Sequence, residues 1–403
     1  MLHRKTLGRI PAKPHTAFYG ADGKLLMEHC STREGFDGPF SILYYKVPPT
    51  DETGVEHFEI PGFAPYQVGG RQLLHRRHIK SQSLPPRGDF LSGRSTLLVN
   101  DDLDIGIVKP VEKALHFFSN ADGDELYFVK HGAGYVESLY GILPFKRYDY
   151  LLIPKSTPYR LHFDVEFSAT NPPVLLVFEG RPKIGIPSEY RNVTGQLTMY
   201  APYSDRDFRS PEALLTYDPG FHGGPPFPLV VKHSGALTKH IFNHFPYQLE
   251  GWDGSVYPVA FNILDYQPKT GLVHLPPTIH TTFAGKSFVI CSFVPRLVDY
   301  HPQAIPCPYG HANVEMDEVL YYVEGNFTSR KGIDSESISL HPQGVPHGPH
   351  PGTYAKSIGS KRTDELAVMC DTYQPLKLTQ NALDLEQGDY HTTWVELEDS
   401  PAK

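Results

Sequence analysis

A chain of 403 residues with 38 prolines and 12% aromatics is long enough for two domains with substantial cores, and its composition fits a loop-rich β protein better than a helical one. Its net charge of −8 comes without a basic cluster of the kind nucleic acid requires, and no run approaches the roughly 18 unbroken apolar residues of a membrane span. Cys30, Cys291, Cys307 and Cys370 form no C-x-x-C pair and read as reduced thiols; with no apolar signal core in Met1-Leu2-His3-Arg4-Lys5, a cytoplasmic protein is the expectation.

Residues 1–100 read as extra strands that extend the first half. Short β-branched or aromatic runs follow, at 127–129, 150–153, 174–178, 259–264, 287–293 and 319–323, and Gly, Pro or Asp punctuates most of them. No helical heptad pattern is present. The best short helix is 211–215, with Ser210 as its N-cap. The Pro/Gly-rich stretch 220–229 reads as a surface crossing. The pattern predicts an all-β protein of two halves, 1–215 and 216–403, with few short helices.

Two segments near the C-terminus together spell a metal site. The first runs Gly310-His311-Ala312-Asn313-Val314-Glu315-Met316-Asp317-Glu318 and leads to Gly325; the second runs His341-Pro342-Gln343-Gly344-Val345-Pro346-His347. Two His and one carboxylate suit non-haem Fe(II), with coordination positions left open. Mn²⁺ and Zn²⁺ accept the same ligand types. The bland alternative is a chance match in a chain with 21 His.

The same pattern recurs upstream. Phe118, Asn120, Glu125 and Gly132 precede His311, Asn313, Glu318 and Gly325 by a constant offset (311 − 118 = 193), and Tyr159 precedes His347 by 188. This is one structural unit present twice. Phe118 and Tyr159 are poor ligands, so the first copy is expected to be structural and the second to hold the metal.

The paired motifs resemble those of the cupin superfamily, with Asn313 in place of a middle His. More narrowly, Tyr309-Gly310-His311 through Glu318, then Ser339-Leu340-His341 and Pro346-His347-Gly348-Pro349, are similar to the homogentisate 1,2-dioxygenase family. Weaker likeness runs through 148–154, 273–278 and 288–296, and the short chain resembles a compact bacterial branch. The resemblance implies a bicupin of two β-barrel or jelly-roll halves. It implies Fe(II) on His311, Glu318 and His347, and ring-opening of homogentisate by O₂ to maleylacetoacetate in tyrosine and phenylalanine breakdown. It implies His274 as the base for the phenolic proton. His341 would be a pocket His that orients ring or O₂, or else holds a ligand. Tyr309 and Arg330 would bind the substrate carboxylate. The implied partners are a small aromatic acid and O₂, in a homo-oligomer of trimers or hexamers.

Two departures stand out. His311 and Glu318 are one residue further apart than in the family, which makes Asp317 a rival ligand. Phe327 stands where the family has a carboxylate-binding Tyr. The alternatives are a dioxygenase for another hydroquinone- or gentisate-like acid, and a non-enzymatic bicupin that binds a small ligand.

Overall fold

The computed structural model describes residues 3–60, 66–327 and 332–395. The chain is all-β in the sense expected: strands carry it, and its α-helices run to five residues at most, as in Thr353–Ser357 and Gln380–Asp384. Most runs foreseen as strands lie within one, from Asp124–His131 to Asp317–Glu324; the run at 287–293 starts one residue before Phe288–Phe293, and the run at 259–264 stops short, with Val259–Asn262 giving way to a 3₁₀ turn. None of the described helices is long and apolar enough to cross a membrane.

Side-chain alternation decides how the sheets stack. An eight-stranded sheet contains Asp124–His131, Asp149–Ile153 and Val174–Gly180 side by side. Tyr127, Val129, Leu151 and Val177 point to one face, where they meet Phe118, Tyr159 and Val230 of a seven-stranded sheet. Leu126, Phe128, Tyr150 and Leu176 point to the other face. There they meet Phe283, Ile290, Val319, Tyr321 and Val368 of a six-stranded sheet built largely from the C-terminal part of the chain. The middle sheet is therefore covered on both sides, which explains strands such as Val174–Gly180 that are buried along their whole length.

The chain passes between the halves several times. Phe227–His233 runs parallel to Phe117–Asn120, and Val259–Asn262 pairs with Asp149–Ile153, so strands after residue 215 complete the first half's sheets. In return, Arg77–Ile79 forms the edge of the six-stranded sheet beside Ile338–His341.

The segment 211–215, expected to be helical, is extended. Ile142 N–H donates to the Ala213 carbonyl (2.8 Å) and Glu212 N–H to the Ile142 carbonyl (2.9 Å). These cross-chain bonds engage backbone groups that a helix would need. The short helix of this region is Pro219–His222, capped by the Asp218 carboxylate, and it opens the crossing that ends in Phe227–His233.

Candidate metal centre

The repeat read from the sequence is a repeat of geometry. His311 and His347 face each other as an antiparallel bridge, each N–H donating to the other's carbonyl at 2.8 Å. Phe118 and Tyr159 are paired in the same way. Asp317 and Asp124 are likewise equivalent. The Asp317 carboxylate accepts from the N–H groups of Gln343 (2.8 Å) and Leu376 (2.7 Å), and Asp124 accepts from Lys155 (2.7 Å) and Ile184 (2.8 Å). Asp317 thus ties two loops to the strand that carries it, and Glu318, one residue on, projects from the opposite face. Gly325 and Gly132 end these strands at φ 101° and 106°; a Cβ on Gly325 would meet the Asp364 carbonyl oxygen at 2.1 Å.

His311, Glu318 and His347 converge, with one ligand atom from each lying within 4.8 Å of the others. His311 Nε2 is 3.6 Å from Glu318 Oε2, and His347 Nε2 is 3.5 Å from Glu318 Oε1. The Nδ1 atoms of the two His lie 3.4 Å from the Tyr309 carbonyl and 3.0 Å from the Val345 carbonyl. Donation from Nδ1 to a carbonyl assigns the proton to that nitrogen and leaves Nε2 as the lone-pair atom facing the carboxylate. His347 Nε2 is buried and makes no hydrogen bond among the described residues, as a nitrogen reserved for a metal would be. Burial alone would raise the Glu318 carboxyl, but the imidazoles of His311, His341 and His347 gathered around it outweigh burial and hold the group well below the usual carboxylate range. Two imidazole nitrogens and one carboxylate on one side of a cavity are a donor set that fits a divalent metal with open positions.

The other expected residues are placed unequally. His341 is fully buried and sits opposite Glu318 on the neighbouring strand. Its Nδ1 is 2.6 Å from Glu318 Oε1, and its ring stacks on His347 at 4.4 Å. It therefore touches two of the three converging residues from behind. His274 faces a second cavity of about 320 Å³ with Arg296 and Asp299, and the Pro277–His280 turn contributes to the walls of both cavities. Burial pulls the His274 imidazole below its ordinary value, and its Nδ1 is 3.8 Å from Asp299. The half-exposed Tyr309 packs its ring edge-on against His274 at 4.9 Å. Arg330 lies outside the described residues. Phe327 packs on Tyr322 at 4.9 Å and joins the apolar cluster of Cys291, Leu320 and Met369. His350, nearby in sequence, stacks on Trp394 and lies 2.7 Å from the Thr393 hydroxyl.

The cavity lined by His311 and Glu318 measures about 710 Å³, with the buried His347 set back from its wall. Sequence reasoning missed much of its wall, including Tyr190 and Tyr200 from the first half, Lys286 at a hairpin turn, and Asp371. Asp371 pairs with Glu318 across the strand on the side away from His341. Burial, then the negative charge of Glu318, push its carboxyl up to about 8.

In the first copy the same positions are closed. Arg94 Nη2 donates to Glu125 Oε1 (2.7 Å) and to the Tyr127 hydroxyl (2.6 Å), its Nη1 is 3.3 Å from Glu179, and the Tyr159 hydroxyl donates to Glu125 Oε2 (2.6 Å). A guanidinium supplies the positive charge that Glu318 would receive from a metal.

Comparison with known proteins agrees with this geometry. A family model described as Homogentisate 1,2-dioxygenase C-terminal matches residues 256–400. The chain is 36% identical over 397 residues to "Putative dioxygenase SSO1533" of Saccharolobus solfataricus, covering 97% of this chain and 98% of that one. It is 26% identical over 302 residues to homogentisate 1,2-dioxygenase of Rhizobium etli, covering 70% of this chain and 63% of that one. Among solved structures, a cupin 2 conserved barrel domain protein from Leptotrichia buccalis superposes with a TM-score of 0.30 at 10% identity, over 70% of this chain and 88% of that chain.

Proposed function

From its membership in the homogentisate 1,2-dioxygenase family, to which the chain belongs, we propose that it is a non-haem Fe(II) dioxygenase that opens homogentisate with O₂ to give maleylacetoacetate. The observation that carries the reading is the convergence of His311, Glu318 and His347 beside a cavity that His311 and Glu318 line, in a chain of this family. Iron(II) held there would supply O₂ activation and a template for both reactants.

The chain's own residues supply the rest. His341 fixes the Glu318 carboxylate by its hydrogen bond and by its place in the sheet. Val289, Cys291, Met316 and Met369 give the cavity an apolar wall suited to an aromatic ring. His274, which burial holds toward its neutral form, is the proposed acceptor of the phenolic proton. In His274→Ala, kcat is expected to fall with bound iron unchanged; a fall in iron instead would make His274 a structural residue. The proposed setting is the cytoplasmic breakdown of tyrosine and phenylalanine, in a homo-oligomer.

The test is oxygen uptake by protein reconstituted anaerobically with Fe(II), on addition of homogentisate, with the ring-opened product followed in the ultraviolet. Stoichiometric uptake with product establishes the reaction. Iron bound without uptake moves the substrate to another hydroquinone acid. That second reading is favoured by Phe327 in place of a Tyr and by Lys286 as the one Lys or Arg among the described residues that line the metal cavity. Protein that binds no iron is a ligand-binding bicupin and not an enzyme of this kind.

A further inference from the structure

Four side chains on adjacent strands form one row across the six-stranded sheet. His341 pairs with Glu318, Glu318 with Asp371, and Asp371 with Val289. Directly paired residues project to the same face, and Glu318, Asp371 and Val289 all line the 710 Å³ cavity. Asp371 stands outside the converging trio, whose ligand atoms gather around Glu318. It is one strand away, roughly 4.8 Å along the sheet.

The Oδ1 atom of Asp371 is buried and accepts no hydrogen bond among the described residues. A buried acceptor left unmade costs about 1–3 kcal/mol, so its donor is expected to come from what enters the cavity. The neighbours in its row cannot supply one: Val289 is apolar, and Glu318 as a metal ligand is an acceptor only. The first copy shows how such a position looks when it is structural. Glu179 occupies the place of Asp371 there (371 − 179 = 192), beside Glu125 as Asp371 lies beside Glu318. Glu179 is clamped by Lys232 and Arg94. No cation lies within ion-pairing distance of Asp371 among the described residues. The silent copy spends this carboxylate on internal ion pairs, whereas the metal-bearing copy leaves it facing the cavity.

We propose that Asp371 is a substrate-binding, specificity-determining residue, which accepts the hydrogen bond of the ring hydroxyl that is not at the metal and so selects para-diols over monophenols. This rests on the ring-cleaving reading above. Its test is anaerobic calorimetry on Fe(II)-loaded protein with two probes, homogentisate and 2-hydroxyphenylacetate, which lacks the second hydroxyl. Wild-type protein is expected to bind the diol about tenfold more tightly, the worth of a hydrogen bond of roughly 1.4 kcal/mol. Asp371→Ala is expected to bring the diol down to the affinity of the monophenol, with the monophenol unchanged. Asp371→Asn, which still accepts through its carbonyl, is expected to keep most of the preference.

Equal weakening of both probes in Asp371→Ala, or an unchanged preference, overturns the proposal while ring cleavage by the wild type stands. Wild-type protein that binds iron but neither probe overturns the ring-cleaving reading and this proposal with it.

Discussion

The two copies of the repeat place matching strands and matching carboxylates in matching positions, yet they neutralise buried charge in opposite ways. In the first, Arg94 is built in beside Glu125 and Glu179. In the second, Glu318 is ringed by three imidazoles, with no Lys or Arg in ion-pairing reach among the described residues, an arrangement that suits a metal ion as the source of positive charge. A site made for a metal differs from a site made for stability less in its acids than in whether a cation was already provided.

The largest break in this comparison is expected from His311→Ala or His347→Ala. Each removes one of three donors and is expected to abolish iron retention and turnover, read as iron per chain and oxygen uptake. Retention of both would end the ligand assignment. Next in size is Arg94→Met, which leaves Glu125 and Glu179 short of their shared cation. A loss of about 3–5 kcal/mol is expected in denaturant unfolding, with iron per folded chain unchanged.

Acid should separate the halves in a third way. Glu137 in the first half is nearly inaccessible. Burial opposes its charge, but His162, Arg160 and His222 hold its carboxyl down at about 2, against an ordinary 4.5. A depressed carboxyl contributes in full above pH 4.5 and loses its contribution as pH falls through the folded value. The shift corresponds to roughly 3 kcal/mol, absent in Glu137→Gln, so the variant's stability curve should be flatter than the wild type's between pH 4.5 and 2. The smallest effect is expected from His341→Ala, which frees Glu318 from behind. Iron affinity should fall about 10–100-fold, measured by competition with a chelator, with the His311 and His347 ligands still in place.

The convergence of the trio and the strands around it were legible because a metal-type motif needs particular residue types at particular spacings, and because the upstream copy supplied a register against which to check them. That register also favours Glu318 over Asp317: Asp124 and Asp317 do the same backbone-tying work, which leaves Glu318 facing His311 and His347. Arg94 was not legible, since it enters from a strand well before the motif and carries no local signal. Asp371 comes from a distant strand; only its alignment with Glu179 could have exposed it. The segment 211–215 looked helical because local propensity cannot foresee an extended partner at Ile142.

The middle sheet, covered on both faces, has a consequence for how such a protein can change over generations. Arg77–Ile79 closes an edge of the half that carries the candidate metal centre, while Lys377–Leu378 returns to pair with Arg94–Val99. No single crossover in the gene separates the copy with the candidate metal centre from its upstream counterpart without leaving a raw sheet edge on each piece. Recombination at one point would therefore carry the candidate metal centre away without the strand that closes its sheet.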